Sequence, residues 1–207
     1  MTDPMVVHDF DELRLYDKAI QAHFETIKLD SKEVPLVIGT VERAFATTSK
    51  LYGTDAKRIP LPVGNMLRAG WVRDPSRFMG MGKMTSKNPA PGKALKTERP
   101  FPINITYTLQ YRVQNTSQSN ILQKKLALLA SHDKFIVRVN IPGFAQRFNF
   151  FAKATEVINS FEANVGEQAD KIHVLSFAVV YEVFFFHEFS LHSYSNEIET
   201  TWNVVER

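Results

Sequence analysis

The longest alternation of apolar and polar positions in the chain runs from Ile103 to Val113. Ile, Tyr, Leu or Val occupies every second position there, and Asn, Thr, Gln or Arg fills the positions between them. A period of two over this length is typical of a β-strand with one covered face and one wet or interface-facing side. Tyr107 and Tyr111 fall on the apolar face, so we expect both in the core rather than stacked on nucleic-acid bases.

A second long strand is predicted from Lys171 to Phe189, with apolar residues on both of its faces. A strand of this kind is expected at the centre of a sheet, covered on both sides by protein. Glu182 interrupts its apolar pattern. We expect Glu182 to pair with an arginine or to lie at a subunit interface, in preference to serving as a buried, perturbed carboxylate.

Shorter strands are predicted from the same periodicity and from turn residues. Phe135 to Ile141 alternates and ends at Pro142-Gly143, which predicts a return strand at Arg147 to Phe151. A further hairpin is expected from strands at 26–29 and 34–44, with Pro35 near an edge.

Two helices complete the predicted elements. Asp9 and Glu12 have the spacing of a capping box, and apolar residues at helical spacing follow, which predicts a helix over 9–25. Ser117 or Ser119 is expected to cap a second helix that ends near Ala130. The pattern therefore predicts an α+β fold, a mostly antiparallel sheet packed by two helices, with residues 1–207 as a single domain.

Gly and Pro are so frequent from 74 to 102 that we expect a long loop there, and a loop of this length is a candidate contact arm. The chain carries a net charge of +3, but residues 64–100 hold eight Lys or Arg against two acidic residues. A basic segment attracts an acidic partner surface or nucleic acid. The polar segment 190–207, with spaced Ile198, Trp202 and Val204, is interpreted either as a frayed tail or as an arm that docks on another subunit.

Patterns of catalysis and cofactor binding are not found. The chain has no Cys, which excludes disulfides and thiolate sites. Gly82-Lys83 lacks the upstream Gly and the following Ser or Thr of a phosphate-binding loop. His187 and His192 are five residues apart on a predicted strand and point to opposite faces, which does not suit a shared metal. We therefore expect a non-enzymatic protein without cofactor or metal, and the apolar run near 174–189 is too short and too polar for a membrane helix.

Three stretches carry a likeness to a known family: Tyr16–Thr40, with its Val34-Pro35-Leu36-Val37-Ile38; Pro100–Leu129, where Pro-Phe-Pro leads into the alternating strand and a helix; and Lys171–Phe186. In the order of these elements the chain resembles the tail-terminator, or neck, proteins of contractile-tailed bacteriophages, in particular the T-even type that stabilises the proximal end of the tail sheath. The likeness covers about half of the chain and consists of strand and helix patterns with a few prolines and aromatic residues.

The resemblance implies a structural virion protein, assembled in the host cytoplasm, that forms a ring, expected to be a hexamer. Such a ring stacks on the last tail-tube ring, contacts the last sheath layer and docks to the head connector, with genomic DNA passing through its lumen. We expect Arg68, Arg73, Arg77 and Lys83 to contact a neighbouring ring or the DNA, and we place Glu182 and Trp202 among the interface residues. Identical subunits in a closed ring need two different complementary patches, which a sheet with protruding arms supplies.

Other functions fit the same pattern. Within a virion, a head-completion adaptor or a tail-tube subunit is the nearest alternative. Two further classes are a sheet-based nucleic-acid-binding module, which salt-sensitive DNA binding would reveal, and a small enzyme, which a cleft of coupled ionisable groups would reveal.

Overall fold

The computed structural model of the protein describes residues 5–7, 11–52, 61–77, 83–87, 93–98, 100–130, 134–141, 147–162, 172–186 and 189–193. The α-helices in these ranges are α1 (Glu12–Glu25), α2 (Val41–Tyr52) and α3 (Thr116–Ala130). The strands are β1 (Met5–Val7), β2 (Lys28–Leu29), β3 (Lys32–Glu33), β4 (Leu36–Ile38), β5 (Val63–Arg73), β6 (Lys83–Lys87), β7 (Lys93–Glu98), β8 (Phe101–Val113), β9 (Phe135–Asn140), β10 (Arg147–Ala154), β11 (Ile158–Glu162), β12 (Ile172–Phe185) and β13 (Phe189–Ser193). Strands and helices together confirm the expected α+β class.

The main sheet has the strand order β4-β5-β8-β12-β10-β9, and β11 pairs with the first half of β12. β8 and β12 are antiparallel along their whole length, from Phe101 opposite Phe185 to Val113 opposite His173. The two strands with the strongest sequence patterns therefore form the centre of the sheet. The expected pairing of β9 with β10 is also confirmed.

Helices α1 and α3 cover one face of this sheet, which we call the inner face. Ile103, Ile105 and Leu109 of β8 lie on it fully buried, together with Tyr107 and Tyr111. This confirms both tyrosines as core residues. Burial of aromatic rings and branched aliphatic side chains on one face of a sheet is a major source of stability, at about 25 cal/mol per Å² of apolar surface removed from water.

The first helix begins at Glu12, three residues after the start that its sequence pattern predicts. Asp11 is the N-cap, and its Oδ1 accepts a hydrogen bond from the backbone N–H of Arg14 at 3.0 Å. Asp9, the expected cap, lies outside the described residues. Tyr16, Ile20 and Phe24 recur at i, i+4 and i+8 and are fully buried, so the predicted apolar stripe is the face that packs on the sheet.

The expected strand at 34–44 is wrong beyond Ile38. Gly39 adopts a φ of +138° and its N–H donates to the carbonyl of Met66 at 2.9 Å, after which the chain turns into α2. Ala44 and Thr48, one helical turn apart, are buried on that helix. As a result β4 pairs with β5 in parallel, and α2 is the crossover between them. The hairpin in this region is formed by β2 and β3 instead of the two expected strands.

The expectation of a long loop at 74–102 is also wrong. β6 and β7 pair antiparallel in this region and belong to a second sheet of order β1-β13-β7-β6. The partner of β7 is β13, almost a hundred residues away, and such a pairing leaves no trace in the local sequence pattern. The beginning of the 190–207 segment is therefore a strand, because Phe189–Ser193 is paired on both sides.

Candidate assembly interface

The face of the main sheet opposite α1 and α3, which we call the outer face, carries a row of residues that crosses five strands. Directly paired positions of adjacent strands share a face, so the registers define this row as Val72, Asn104, Glu182, Phe151 and Ile136. Val72 is 63% exposed, Phe151 48% and Ile136 51%. Three large apolar side chains thus stand in solvent on one surface.

Mostly uncharged residues lie next to this row on the outer face, and the exposed Lys153 of β10, opposite Val180, adds a positive charge. Gly70, Thr106 and Val180 are aligned on β5, β8 and β12, and Leu67, which is 42% exposed, is opposite Thr108. Gly70 and Thr106 have short side chains, so a flat partner surface can approach the backbone of the sheet closely at these positions. α2 lies over the other end of this face, where Arg112 is buried and its guanidinium donates to Asn65 Oδ1 at 2.8 Å.

Glu182 lies in the middle of the exposed row. Its carboxylate accepts two hydrogen bonds from the ammonium group of Lys134, at 2.7 and 2.9 Å, and its side chain is 21% exposed. The same ammonium nitrogen is 5.7 Å from the centre of the Phe151 ring. The expected arginine partner is thus a lysine, and the position at a subunit interface stays a prediction.

Arg77, expected to contact a neighbouring ring or DNA, is held within its own chain. Its guanidinium forms an ion pair with Asp74 at 2.9 Å and donates to the carbonyl of Ile103 and to Asn104 Oδ1, at 2.7 and 2.8 Å. It also lies over the ring of Phe184. Hydrogen bonds from Ser76 and Arg77 hold the pKa of Asp74 well below its usual value. These contacts hold the segment that follows β5 against the first residues of β8, beside the exposed row.

Arg68 also has an internal partner. Its guanidinium contacts both carboxylate oxygens of Asp17 at 3.2 Å, and the hydroxyl of Tyr107 donates to the same carboxylate at 2.9 Å. Burial raises the pKa of Asp17, and the hydrogen bonds from Tyr107 and Arg68 oppose that effect. Arg68 therefore joins β5 to α1 on the inner face.

The four expected basic contact residues do not form one patch. Arg73 is exposed on β5 and is opposite Ile103, hence on the inner side with Arg68. Arg77 donates to Asn104, whose side chain is on the outer side. Lys83 belongs to β6, where it is opposite Glu98 in the second sheet. Trp202 lies outside the described residues.

Val72, Phe151 and Ile136, the apolar members of the row, were not among the residues predicted for an interface. The sequence does contain a signal for one of them: Phe150 and Phe151 are adjacent in a strand, so only one ring can enter the core. Phe150 is 5% exposed and takes that place. Which of the two rings remains outside depends on the register with β12.

Among the described residues, no group of three or more His, Asp or Glu is arranged to hold a metal ion. None of the described helices is both long and apolar enough to pass through a lipid bilayer. Scans against protein-family models and against curated protein sequences find no match to this chain.

Proposed function

We propose that this chain is a structural protein that assembles with copies of itself and with adjacent components into a ring at the head-proximal end of a contractile phage tail. The observation that carries the assembly part is the exposed row on the outer face. Phe151 and Ile136 are directly paired, and Val72 is exposed on the same face beyond Asn104 and Glu182. Exposed apolar side chains gathered on one face are a common feature of surfaces where another protein binds. The identity of the assembly rests on the resemblance of the element order to tail terminators.

The outer face is suited to a contact of moderate strength that occurs several times in a ring. The Lys134–Glu182 pair lies between its apolar residues, and Arg77 with Asp74 lies beside Asn104, so the surface offers both apolar and polar contacts. Single contacts of this kind are weak, but a ring presents several copies at once, and linked contacts bind far more tightly than one. A joint between tail and head therefore needs no reaction at this surface.

The assembly part is tested by placing charge in the exposed row. Val72→Asp combined with Phe151→Asp puts two carboxylates on a surface that would be desolvated by a partner. We expect the oligomer in sedimentation velocity to dissociate while the thermal melting temperature changes little, because both side chains are already about half exposed. Leu128→Asp also puts a carboxylate at an exposed apolar position, but on α3 at the other side of the sheet, and is the matched control.

The tail part is tested by imaging and by joining. Negative-stain images of the purified protein are expected to contain discrete rings, whereas indefinite fibres would identify a tail-tube subunit. Replacing Arg73 and Lys83 by Gln is expected to weaken joining of tails to heads. Arg68 and Arg77 are left unchanged in this variant, since their ion pairs with Asp17 and Asp74 stabilise the fold. Unaltered joining by the Arg73 and Lys83 variant would contradict the role of these cations.

A nucleic-acid-binding module is the alternative from a different class. The two tyrosines that could have formed a base-stacking platform, Tyr107 and Tyr111, are fully buried. DNA binding that weakens steeply as salt rises, by a protein that stays monomeric at high concentration, would favour this alternative over the ring.

A further inference from the structure

Strand β9 is an edge of the main sheet. It pairs with β10, and no second strand partner occurs among the described residues. An edge strand presents unpaired backbone N–H and C=O groups, which can form hydrogen bonds with one more strand. β9 is six residues long and follows a regular register with β10, so this edge is long enough to bind an extended segment.

Helix α1 passes beside this edge and forms a groove with it. The groove has a volume of about 400 Å³, and Ala19, Ala22 and His23 of α1 line one side of it, opposite Val137 and Arg138 of β9. The two alanines leave room that larger side chains would fill. The His23 ring is stacked on Phe135, with centroids 4.8 Å apart, and burial lowers its pKa, so this wall of the groove is uncharged at neutral pH.

The outer side of the same edge is basic. Arg138 on β9 and Arg147 on β10 are both exposed and lie on the outer face, each opposite an asparagine. Neither has a salt bridge within the part of the chain that the structure describes. A strand that fits here has apolar or small side chains towards α1 and acidic side chains towards these two arginines.

One segment of this chain has that pattern. Beyond the described strand β13, every second residue from 198 to 204 is Ile, Thr, Trp or Val, and the other set of alternating positions includes Glu197 and Glu199. In an extended conformation successive side chains point to opposite sides. The segment thus combines one mainly apolar side with one acidic side.

We propose that residues 194–207 of one copy add as a strand to the β9 edge of the next copy. Ile198, Trp202 and Val204 then enter the groove beside Ala19 and Ala22, and Glu197 and Glu199 approach Arg138 and Arg147. This inference rests on the proposed function, because it specifies how subunits of the ring join. Donor segment and acceptor edge are different surfaces of one chain, so repetition of the contact in one direction leads to a closed ring or a filament.

The acceptor side is tested by filling the groove. Ala22 is exposed, so Ala22→Trp is tolerated by the fold but occupies the space for the incoming strand. We expect this variant to lose subunit association in sedimentation velocity with little change in melting temperature. Lys124→Trp adds the same ring at an exposed position of α3 and is expected to associate like the original chain. Equal association of the two variants would overturn the proposal.

The donor side is tested by Ile198→Asp combined with Trp202→Asp in the full chain. Amide hydrogen exchange of β9 is the readout, because strand addition protects the outward amides of Phe135–Asn140. In the original protein we expect exchange to slow on assembly, by about tenfold once the concentration is about ten times the dissociation constant. The donor variant is expected to lack this protection.

A mixture of the two variants separates contact between copies from contact within one copy. The donor variant, labelled with ¹⁵N, still has an intact groove, and the unlabelled Ala22→Trp variant still has an intact segment. We expect the labelled β9 amides to regain protection when the unlabelled copy is added. If they do not, or if the original β9 amides exchange alike in monomer and ring, the proposal is wrong while the ring itself stands. A protein that never assembles would instead remove the proposed function.

Discussion

Tyr16 of α1 and Tyr181 of β12 meet edge to face in the core, with ring centroids 5.9 Å apart and planes at 89°. Both side chains are fully buried, yet their hydroxyl groups differ. The Tyr16 hydroxyl donates to the carbonyl of Phe184, whereas the Tyr181 hydroxyl has no hydrogen-bond partner among the described residues. Burying a polar group without a partner costs free energy, so the two hydroxyls have opposite expected effects on stability.

Removal of each hydroxyl tests this difference. Tyr16→Phe is expected to lower the free energy of unfolding by about 1 kcal/mol, because it leaves the carbonyl of Phe184 unpaired. Tyr181→Phe is expected to leave that free energy unchanged or to raise it. Urea denaturation followed by fluorescence measures both. A larger loss for Tyr181→Phe than for Tyr16→Phe would show that the Tyr181 hydroxyl has a partner.

Gly64 lies where the sheet core leaves no room for a side chain. A Cβ at this position would lie 2.8 Å from Tyr111 Cε1 and 2.9 Å from Leu36 Cδ1, and both of those side chains are buried. We expect Gly64→Ala to lower the free energy of unfolding by about 1–3 kcal/mol through overpacking. Thr106→Ala on the outer face is a control that removes atoms from a less crowded place. If the two substitutions changed the free energy of unfolding equally, the core around Gly64 would accommodate the added methyl group at little cost.

Glu12 makes folding stability depend on pH. Burial raises the pKa of its carboxyl group from 4.5 to about 7, against a hydrogen bond from the backbone N–H of Phe186. Between these pH values the folded chain keeps a proton that the unfolded chain releases, so the contribution of Glu12 to the unfolding free energy falls as pH rises from 4.5 to 7. Glu12→Gln still presents an oxygen to Phe186 and is expected to flatten that dependence.

Denaturation curves at several pH values measure this contribution as the difference between the original chain and Glu12→Gln. Taking the difference removes the contributions of other groups to the pH dependence of stability. Asp17 and Glu25 have raised pKa values and contribute in the same direction as Glu12, whereas His23, with its lowered pKa, contributes in the opposite direction. Parallel curves for the two proteins from pH 4.5 to 7 would contradict the prediction.

Arg77 is expected to contribute to folding rather than only to assembly. Arg77→Gln removes an ion pair and hydrogen bonds from a side chain that is 23% exposed, and the expected loss of unfolding free energy is about 1–2 kcal/mol. Arg138→Gln, at an exposed position, is the matched control and is expected to change stability by less than about 0.5 kcal/mol. Thermal melting of the two variants in parallel measures the difference.

The central strands were predictable because their patterns are long. The alternation from Ile103 to Val113 covers β8 except for its first two residues, and the buried face of β12 continues from Leu175 to Val183. An alternation of this length has a single interpretation as a strand, and core burial then decides which face turns inwards. For the same reason the stripe of Tyr16, Ile20 and Phe24 predicted α1 and its packed face.

The elements that were wrongly predicted are short or depend on distant partners. Val37 and Ile38 favour a strand, and the turn at Gly39 that ends it is closed by a hydrogen bond to Met66 on β5. β6 and β7 have few apolar residues, and their sheet is completed by β1 and β13 from the two ends of the described chain. Local propensity is a weak signal in such segments, since the pairing energy comes from residues far along the sequence.

By itself, the sequence determined the fold class, the central pair of strands and the aromatic residues of the core, because hydrophobic periodicity indicates which side chains are buried on folding. Only the tertiary structure decided which residues share the outer face. Val72, Glu182, Phe151 and Ile136 come from four strands, and their alignment follows from four strand registers that no local pattern contains. Which residues share this surface can be known only once the strand pairing is known. If the pairing of a strand shifted by one residue, its side chains would turn to the other face of the sheet.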